Sequence, residues 1–156
     1  MHEQAVVNLL QEKAVFVGTV EGVRPRVRPM LGFIGPNGGL WLLSLVLKER
    51  VTLTNNDQAQ LCAMGDEGDL LQINGFLEPM PFSSGSMSQW TEAESTLPKH
   101  AMDADLSATL YRLRVHSVYY TVRDGKTFYQ QDEAGKIETM DGIRLIPGAP
   151  FRLKQE

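Results

Sequence analysis

The chain has 156 residues, 42% of them hydrophobic and 22% charged, with a formal net charge of −4; this composition supports one sizeable core, so a single domain over residues 1–156 is expected. A negative chain lacks the broad basic surface that phosphate-backbone affinity needs, which excludes a general nucleic-acid binder. The lone cysteine excludes an intrachain disulfide framework, and the start Met1-His2-Glu3-Gln4 and the longest apolar run, Leu40–Leu47, match neither a signal peptide nor a membrane span, so a cytoplasmic protein with no membrane partner is expected.

From Glu3 to Lys13 the apolar residues Val6, Val7, Leu9 and Leu10 recur near helical spacing, predicting a short amphipathic helix across a sheet. Ala14–Val20 reads as a strand, Glu21-Gly22 as a turn, and Arg24–Ile34 as the second arm of a hairpin. The turn cluster Gly35-Pro36-Asn37-Gly38-Gly39 leads into an extended Leu40–Leu45. Lys48–Asn56 follows as a short helix, ended by Asn55-Asn56-Asp57, whose side chains compete for backbone hydrogen bonds.

Ala59–Met64 and Leu70–Leu77 flank the turn Asp66-Glu67-Gly68-Asp69 and predict a second hairpin. Pro79–Ser88 is loop by composition, Gln89–Thr96 a short helix burying Trp90, and Pro98–Asp105 irregular. Thr109–Val122 is the longest expected strand, with Tyr111, Leu113, Val115, Ser117 and Tyr119 on one face and Arg112, Arg114, His116 and Tyr120 on the other. Edge strands are expected at Thr127–Gln131 and Ile143–Leu145, and Pro147–Glu156 is too polar and proline-broken to assign. The pattern as a whole is mainly β with short helices, an antiparallel barrel whose gaps the helices fill.

Chemistry concentrates in Arg24-Pro25-Arg26-Val27-Arg28-Pro29-Met30. Alternate residues of a strand share a face, so the three guanidinium groups repel one another unless an anion relieves them, and phosphate matches their planar donors. Pro25 and Pro29 share a parity, so both missing donors fall on one edge, which is left interrupted while the other pairs in full. Alternatively, Arg and Pro here protect an exposed edge from aggregation.

Lys48 and Arg50 place cations in the first turn of a helix, against its dipole, at a cost of about 0.3 to 1 kcal/mol each unless an anion sits there. Ser44, Lys48 and the arginine strand therefore converge as a candidate phosphate site. The alternative is that Glu49 neutralises the turn and Lys48 extends into water. His2, His100 and His116 have no paired ligand spacing, so no metal site is expected, and His116 reads as a solvated or interface residue. Cys62, in an apolar strand, reads as a small core residue. No residue stands out as catalytic, and no dinucleotide-binding glycine motif is present.

The run "AVFVGTVEGVRPRVRPMLGFIGPNGGLWLLSLVLKERVTLTNNDQAQLCAM", residues 14 to 64, resembles the first half of the pyridoxamine 5'-phosphate oxidase-like split barrels. Within them it is most similar to the nitroimidazole-resistance and general-stress branch: opening strand, glycine turn, Arg-x-Arg-Pro strand, glycine turn, third strand and Lys-bearing helix in that order. The resemblance covers roughly residues 5 to 125 and implies a six-stranded split β-barrel that binds flavin mononucleotide (FMN) at the interface of a homodimer. It also implies that Arg26 and Arg28, with the backbone of Pro29 and Met30, border the flavin. Leu43 and Ser44 take the third-strand position, Lys48 the phosphate-binding helix, and Asp69 and Leu70 the place from which a partner subunit reaches the ring. The family commonly has an aromatic residue and then Thr where this chain has Leu42-Leu43-Ser44.

The implied function is a flavin-dependent oxidoreductase acting on a small nitroaromatic or quinone-like substrate. A non-catalytic flavin-binding stress or sensor protein, a haem- or deazaflavin-binding barrel, and a cofactor-free interaction module are the alternatives.

Overall fold

Alternating apolar and polar residues give each strand one face to bury, and the computed structural model shows those faces turned toward one core. It describes residues 2–35, 37–44, 58–80, 110–132, 142–148 and 150–156. The elements in order are α1 (His2–Leu10), β1 (Lys13–Glu21), β2 (Arg24–Ile34), β3 (Leu40–Ser44), β4 (Gln58–Met64), β5 (Leu70–Met80), β6 (Leu110–Thr121), β7 (Thr127–Gln131) and β8 (Lys154–Gln155). The helices expected at Lys48–Asn56 and Gln89–Thr96, with Trp90 and His100, lie outside the described residues.

The strands form one antiparallel sheet in the order β3-β2-β1-β4-β5-β6-β7-β8, and a further pairing of β3 with β6 closes the first six into a barrel. Closure removes the free edges that an open six-stranded sheet would expose. Val15, Val17, Met30, Leu42, Leu61, Leu71, Ile73, Tyr111, Leu113 and Val118 fill the barrel, and α1 adds Val6 and Leu10 to the same core. No helix among the described residues is long and apolar enough to cross a membrane.

Several boundaries differ from expectation, each for a local reason. Helix α1 ends at Leu10 rather than Lys13, because Glu12 takes a left-handed φ of 56° and the chain turns onto the sheet. There the Glu12 amide donates to the Gly32 carbonyl (2.8 Å), and the Ile34 amide donates to Gln11 Oε1 (2.8 Å). Strand β5 runs on through Pro79 and Met80, expected as loop, because β6 continues opposite them: Pro79 faces Tyr111 and Met80 faces Leu110. Cys62 corrects a second expectation. Leu61 and Ala63 point inward, so the alternation of β4 turns Cys62 out to a half-buried position on the outer face.

The largest correction concerns β6. Its register against β5 runs Asn74 to Ser117 and then Gly75 to Val115, leaving His116 as an extra residue in a β-bulge. One inserted residue reverses the side-chain alternation beyond it. Tyr111, Leu113 and Val115 face the core as expected, but after the bulge Val118 and Tyr120 take the inward places and Tyr119 turns out to stack on Tyr129.

Ile143–Leu145 forms no strand. β6 gives the second edge of Leu110–Leu113 to β3 and of Ser117–Thr121 to β7, so only the space around Val115 remains. Gly142 enters it as a single parallel bridge, and the Ile143 amide donates to the Val115 carbonyl (2.9 Å). Ile143 and Leu145 still enter the core, and the segment after them, too polar to assign from sequence, adds Phe151 to it and pairs Lys154–Gln155 with β7 as β8.

Gly32 is where α1 meets the barrel: a Cβ there would lie 2.6 Å from the Leu10 carbonyl oxygen. Both partners of that contact are backbone and cannot move aside. Gly32→Ala is expected to lower stability by about 1 to 3 kcal/mol, as overpacking does, read as a lower urea midpoint with an unchanged denaturant slope.

Candidate functional site

Arg24, Arg26 and Arg28 share the face that follows into Met30 and Gly32, so the stripe points toward the barrel interior at its mouth. Across the hairpin they face Glu21, Thr19 and Val17 in register. Burial deepens along the stripe: the Arg26 side chain is 47% exposed and Arg28 only 3%.

A buried guanidinium is costly unless paired, and β1 supplies the partners. Arg28 Nη1 donates to Thr19 Oγ1 (3.2 Å), and Arg28 Nη2 donates to the Glu21 carboxylate, whose other oxygen lies 3.7 Å from Arg26 Nη1. The anion expected from the self-repulsion of the stripe is therefore present in the chain itself. One carboxylate is thus shared by two guanidinium groups, Arg28 held closely and Arg26 at longer range.

Strand β3 ends beside this group. Ser44 pairs with Met30, two residues beyond Arg28 on the same face, and Leu43 pairs with Leu31. Leu43, Ser44 and Met30 are all buried, and Pro29 is half-buried. β3 flanks β2 only from Met30 to Ile34. Among the described residues, the second edge of Arg24–Pro29, which holds both prolines, carries no strand, as their shared parity implied. The structure thus gathers Arg26, Arg28, Pro29, Met30, Leu43 and Ser44 at one end of the barrel. Lys48 lies outside the described residues, so the convergence of the stripe with the Lys48 helix is not part of this geometry.

Asp69 and Leu70 lie at the β4–β5 connection. Leu70 pairs with Met64 at the β4–β5 turn, whereas Arg28 lies in the row of Val17, Leu61 and Ile73. Tyr120 Oη donates to Asp69 Oδ2 (2.7 Å), the Gly65 amide bonds the Asp69 carbonyl (2.9 Å), and a Cβ on Gly65 would collide with the Asp69 carboxylate. A hollow of about 610 Å³ beside this turn is walled by Asp66, Glu67, Asp69 and Asp124 with Arg123.

A further hollow, of about 540 Å³, opens on the outer face of β1, β2, β4, β5 and β6 and includes Gly18, Gln60, Asn74 and His116. Sequence reasoning missed it, because nothing local announces the bulge that brings in His116; Gly18 inside an apolar strand run was the only available signal. No group of three or more His, Cys, Asp or Glu side chains arranged for a metal occurs among the described residues.

No family model matches the sequence, and no curated protein matches it either. Solved structures do match in fold. A NimC/NimA family protein from Clostridium acetobutylicum superposes with a TM-score of 0.60 at 17% identity, over 83% of this chain and 94% of that one. A pyridoxamine 5'-phosphate oxidase-related, FMN binding protein from Nostoc punctiforme does so with a TM-score of 0.57 at 11% identity, over 85% of each chain. A heme binding protein from Mycobacterium smegmatis gives 0.60 at 12% identity, over 83% of this chain and 56% of that one. The barrel is thus a split barrel of the pyridoxamine 5'-phosphate oxidase-like type, as the sequence resemblance implied.

Burial, and then the Asp69 carboxylate that accepts its hydrogen bond, push the Tyr120 hydroxyl up from 10.0 to about 12. A group held neutral by the fold contributes stability that is complete below its unfolded value and lost as pH rises through its folded one. Unfolding free energy is expected to decline between about pH 10 and 12, and Tyr120→Phe should flatten that decline in denaturant titrations across the window.

Proposed function

We propose that this protein binds FMN at the arginine end of its barrel and works as a flavin-dependent oxidoreductase on a small nitroaromatic or quinone-like substrate. The observation that carries the reading is the arginine pair Arg26 and Arg28, one half-exposed and one buried, beside buried Ser44. The split-barrel fold, shared with an FMN-binding protein, supports it. Flavin, when bound, supplies the hydride and electron transfer chemistry.

The chain's residues divide the binding work by burial. Arg26, half-exposed, meets the phosphate directly. Arg28, already committed to Thr19 and Glu21, fixes the position of the carboxylate and sets the local charge. Ser44 offers a hydroxyl, and Lys48, in the sequence after β3, adds a second cation. Pro29, Met30 and Leu43 provide the apolar border of the ring. Among the described residues no side chain at this end stands out as a proton donor to substrate, so placement against the ring governs the reaction.

A homodimer completes the site. Phe16 (57% exposed) and Met64 (76% exposed) form, with Cys62, an apolar patch along β1 and β4, and a monomer has no use for such a surface. Leu70 lies directly opposite Met64 at the patch margin, with Asp69 next in the chain. A second copy packed there carries its Asp69 and Leu70 toward the neighbouring flavin. Haem is the second reading, favoured by the heme-binding fold neighbour and by the apolar Leu42-Leu43 before Ser44.

The visible spectrum of freshly purified protein separates the two, flavin giving paired bands in the blue and near ultraviolet and haem a Soret band. In FMN titrations, Arg26→Ala and Lys48→Ala are each expected to weaken binding by about 1 to 3 kcal/mol, the worth of a charged hydrogen bond; unchanged affinity in both removes the anchor. Glu21→Gln raises the local charge by one, and tighter FMN binding than wild type is the expected result. Phe16→Glu should shift the sedimentation coefficient from dimer to monomer.

A further inference from the structure

Arg24 is the member of the arginine stripe to which binding of a flavin monophosphate gives no role, and its surroundings set it apart from the other two. It is exposed on the outermost rung of β2, directly opposite Glu21 in the hairpin register. A carboxylate opposite an arginine on the neighbouring strand is its ordinary partner. Here that partner is taken: Glu21 reaches past its own rung to Arg28, and its other oxygen lies 3.7 Å from Arg26 Nη1. Among the described residues, the Arg24 side chain forms no ion pair or hydrogen bond.

Burial explains this choice of partner. Arg28 is 3% exposed and must be paired, because an uncompensated buried charge is costly. Arg24 stands in water, where a surface ion pair contributes little. The fold therefore directs its one local carboxylate inward and leaves a bare guanidinium at the outer end of the stripe.

The sequence of residues along β2 matches the sequence of groups along a flavin nucleotide. From the barrel outward come Met30 and Pro29, which border the ring, then buried Arg28, then Arg26 at the phosphate, and last Arg24. A flavin dinucleotide has a second phosphate joined to the first on the side away from the ring. Arg24 and Arg26 are about 7 Å apart at their Cα atoms, two residues of extended strand. Side chains of this length close that gap, so the two guanidinium groups can each present a planar fork to adjacent phosphates of one diphosphate.

The pair is also held in place. Pro25 between the two arginines fixes the local φ, and the β1–β2 ladder extends as far as the Glu21–Arg24 pair itself. Little ordering is then left for a ligand to impose on the backbone. Beyond Arg24 the chain turns through Val23, which is 94% exposed, and Gly22, whose φ is 63°. Among the described residues nothing covers this tip, so an adenosine attached to the second phosphate extends into solvent.

We infer that the arginine end discriminates between flavin nucleotides, taking the diphosphate of flavin adenine dinucleotide (FAD), with its first phosphate on Arg26 and its second on Arg24, more tightly than the monophosphate of FMN. This rests on the flavin reading of the site and adds to it which nucleotide binds best. Calorimetric titration of the flavin-free full chain with FMN and with FAD tests it. FAD is expected to bind about tenfold more tightly than FMN, the worth of one exposed charged hydrogen bond. Arg24→Gln should weaken FAD by about the same factor, to the level of FMN, and leave FMN binding unchanged. Arg24→Lys, which keeps the charge without the fork, should fall between wild type and Arg24→Gln.

The assignment is overturned if FMN binds as tightly as FAD, or if Arg24→Gln leaves the preference for FAD intact. Equal weakening of both flavins in Arg24→Gln also overturns it, since Arg24 then acts on any anion at the stripe and reads no second phosphate. FMN binding without a preference for FAD leaves the flavin reading standing and removes only this inference. Failure of both flavins to bind removes the two together.

Discussion

A guanidinium buried at the mouth of an apolar barrel must be paired, and the pairing of Arg28 with Thr19 and Glu21 organises this end of the molecule. Breaking such a pair strands an uncompensated charge and costs about 3 to 5 kcal/mol, so the β1–β2 hairpin is held in register by chemistry as well as by its ladder. The same carboxylate restrains Arg26. What looks in the sequence like three cations waiting for an anion is, at Arg26 and Arg28, a cluster that shares the Glu21 carboxylate.

Arg28 and its partners stand apart from the acidic side chains Asp66, Glu67, Asp69 and Asp124, which line one hollow with Arg123. Strands fix that separation, since Arg28 and Leu70 lie in different rows of one ladder. Tyr120, by holding Asp69, ties the acidic turn to β6.

β6 carries the second organising constraint. It pairs with β5 along its whole length but divides its other edge between β3 and β7, so the barrel closes only along the first third of the strand. The His116 bulge lies between those two stretches. The insertion of Gly142 beside Val115 and the placement of Tyr120, rather than Tyr119, in the core both follow from it.

Local pattern made much of this legible. The apolar, β-branched run Ala14–Val20, the glycine turns and the spacing of the arginines were enough to order β1, β2 and β3 and to put the arginines on one face, because strand period and turn chemistry act within a few residues. The counter-ion of Arg28 was not legible, since Glu21 reads as part of a turn until the hairpin register swings it beside β2. Cys62 was misread because its neighbours are apolar, although its parity is that of Gln58 and Gln60. The His116 bulge leaves no mark in composition, and a single inserted residue inverted every facing beyond it. Phe151 looked like part of a polar tail, yet it is fully buried, because only the closed barrel presents the groove it fills. Short-range periodicity and turn residues thus determined which segments are strands and which residues share a face. Register, closure and charge pairing across distant segments, which depend on the whole set of strands meeting at once, were decided by the tertiary structure alone.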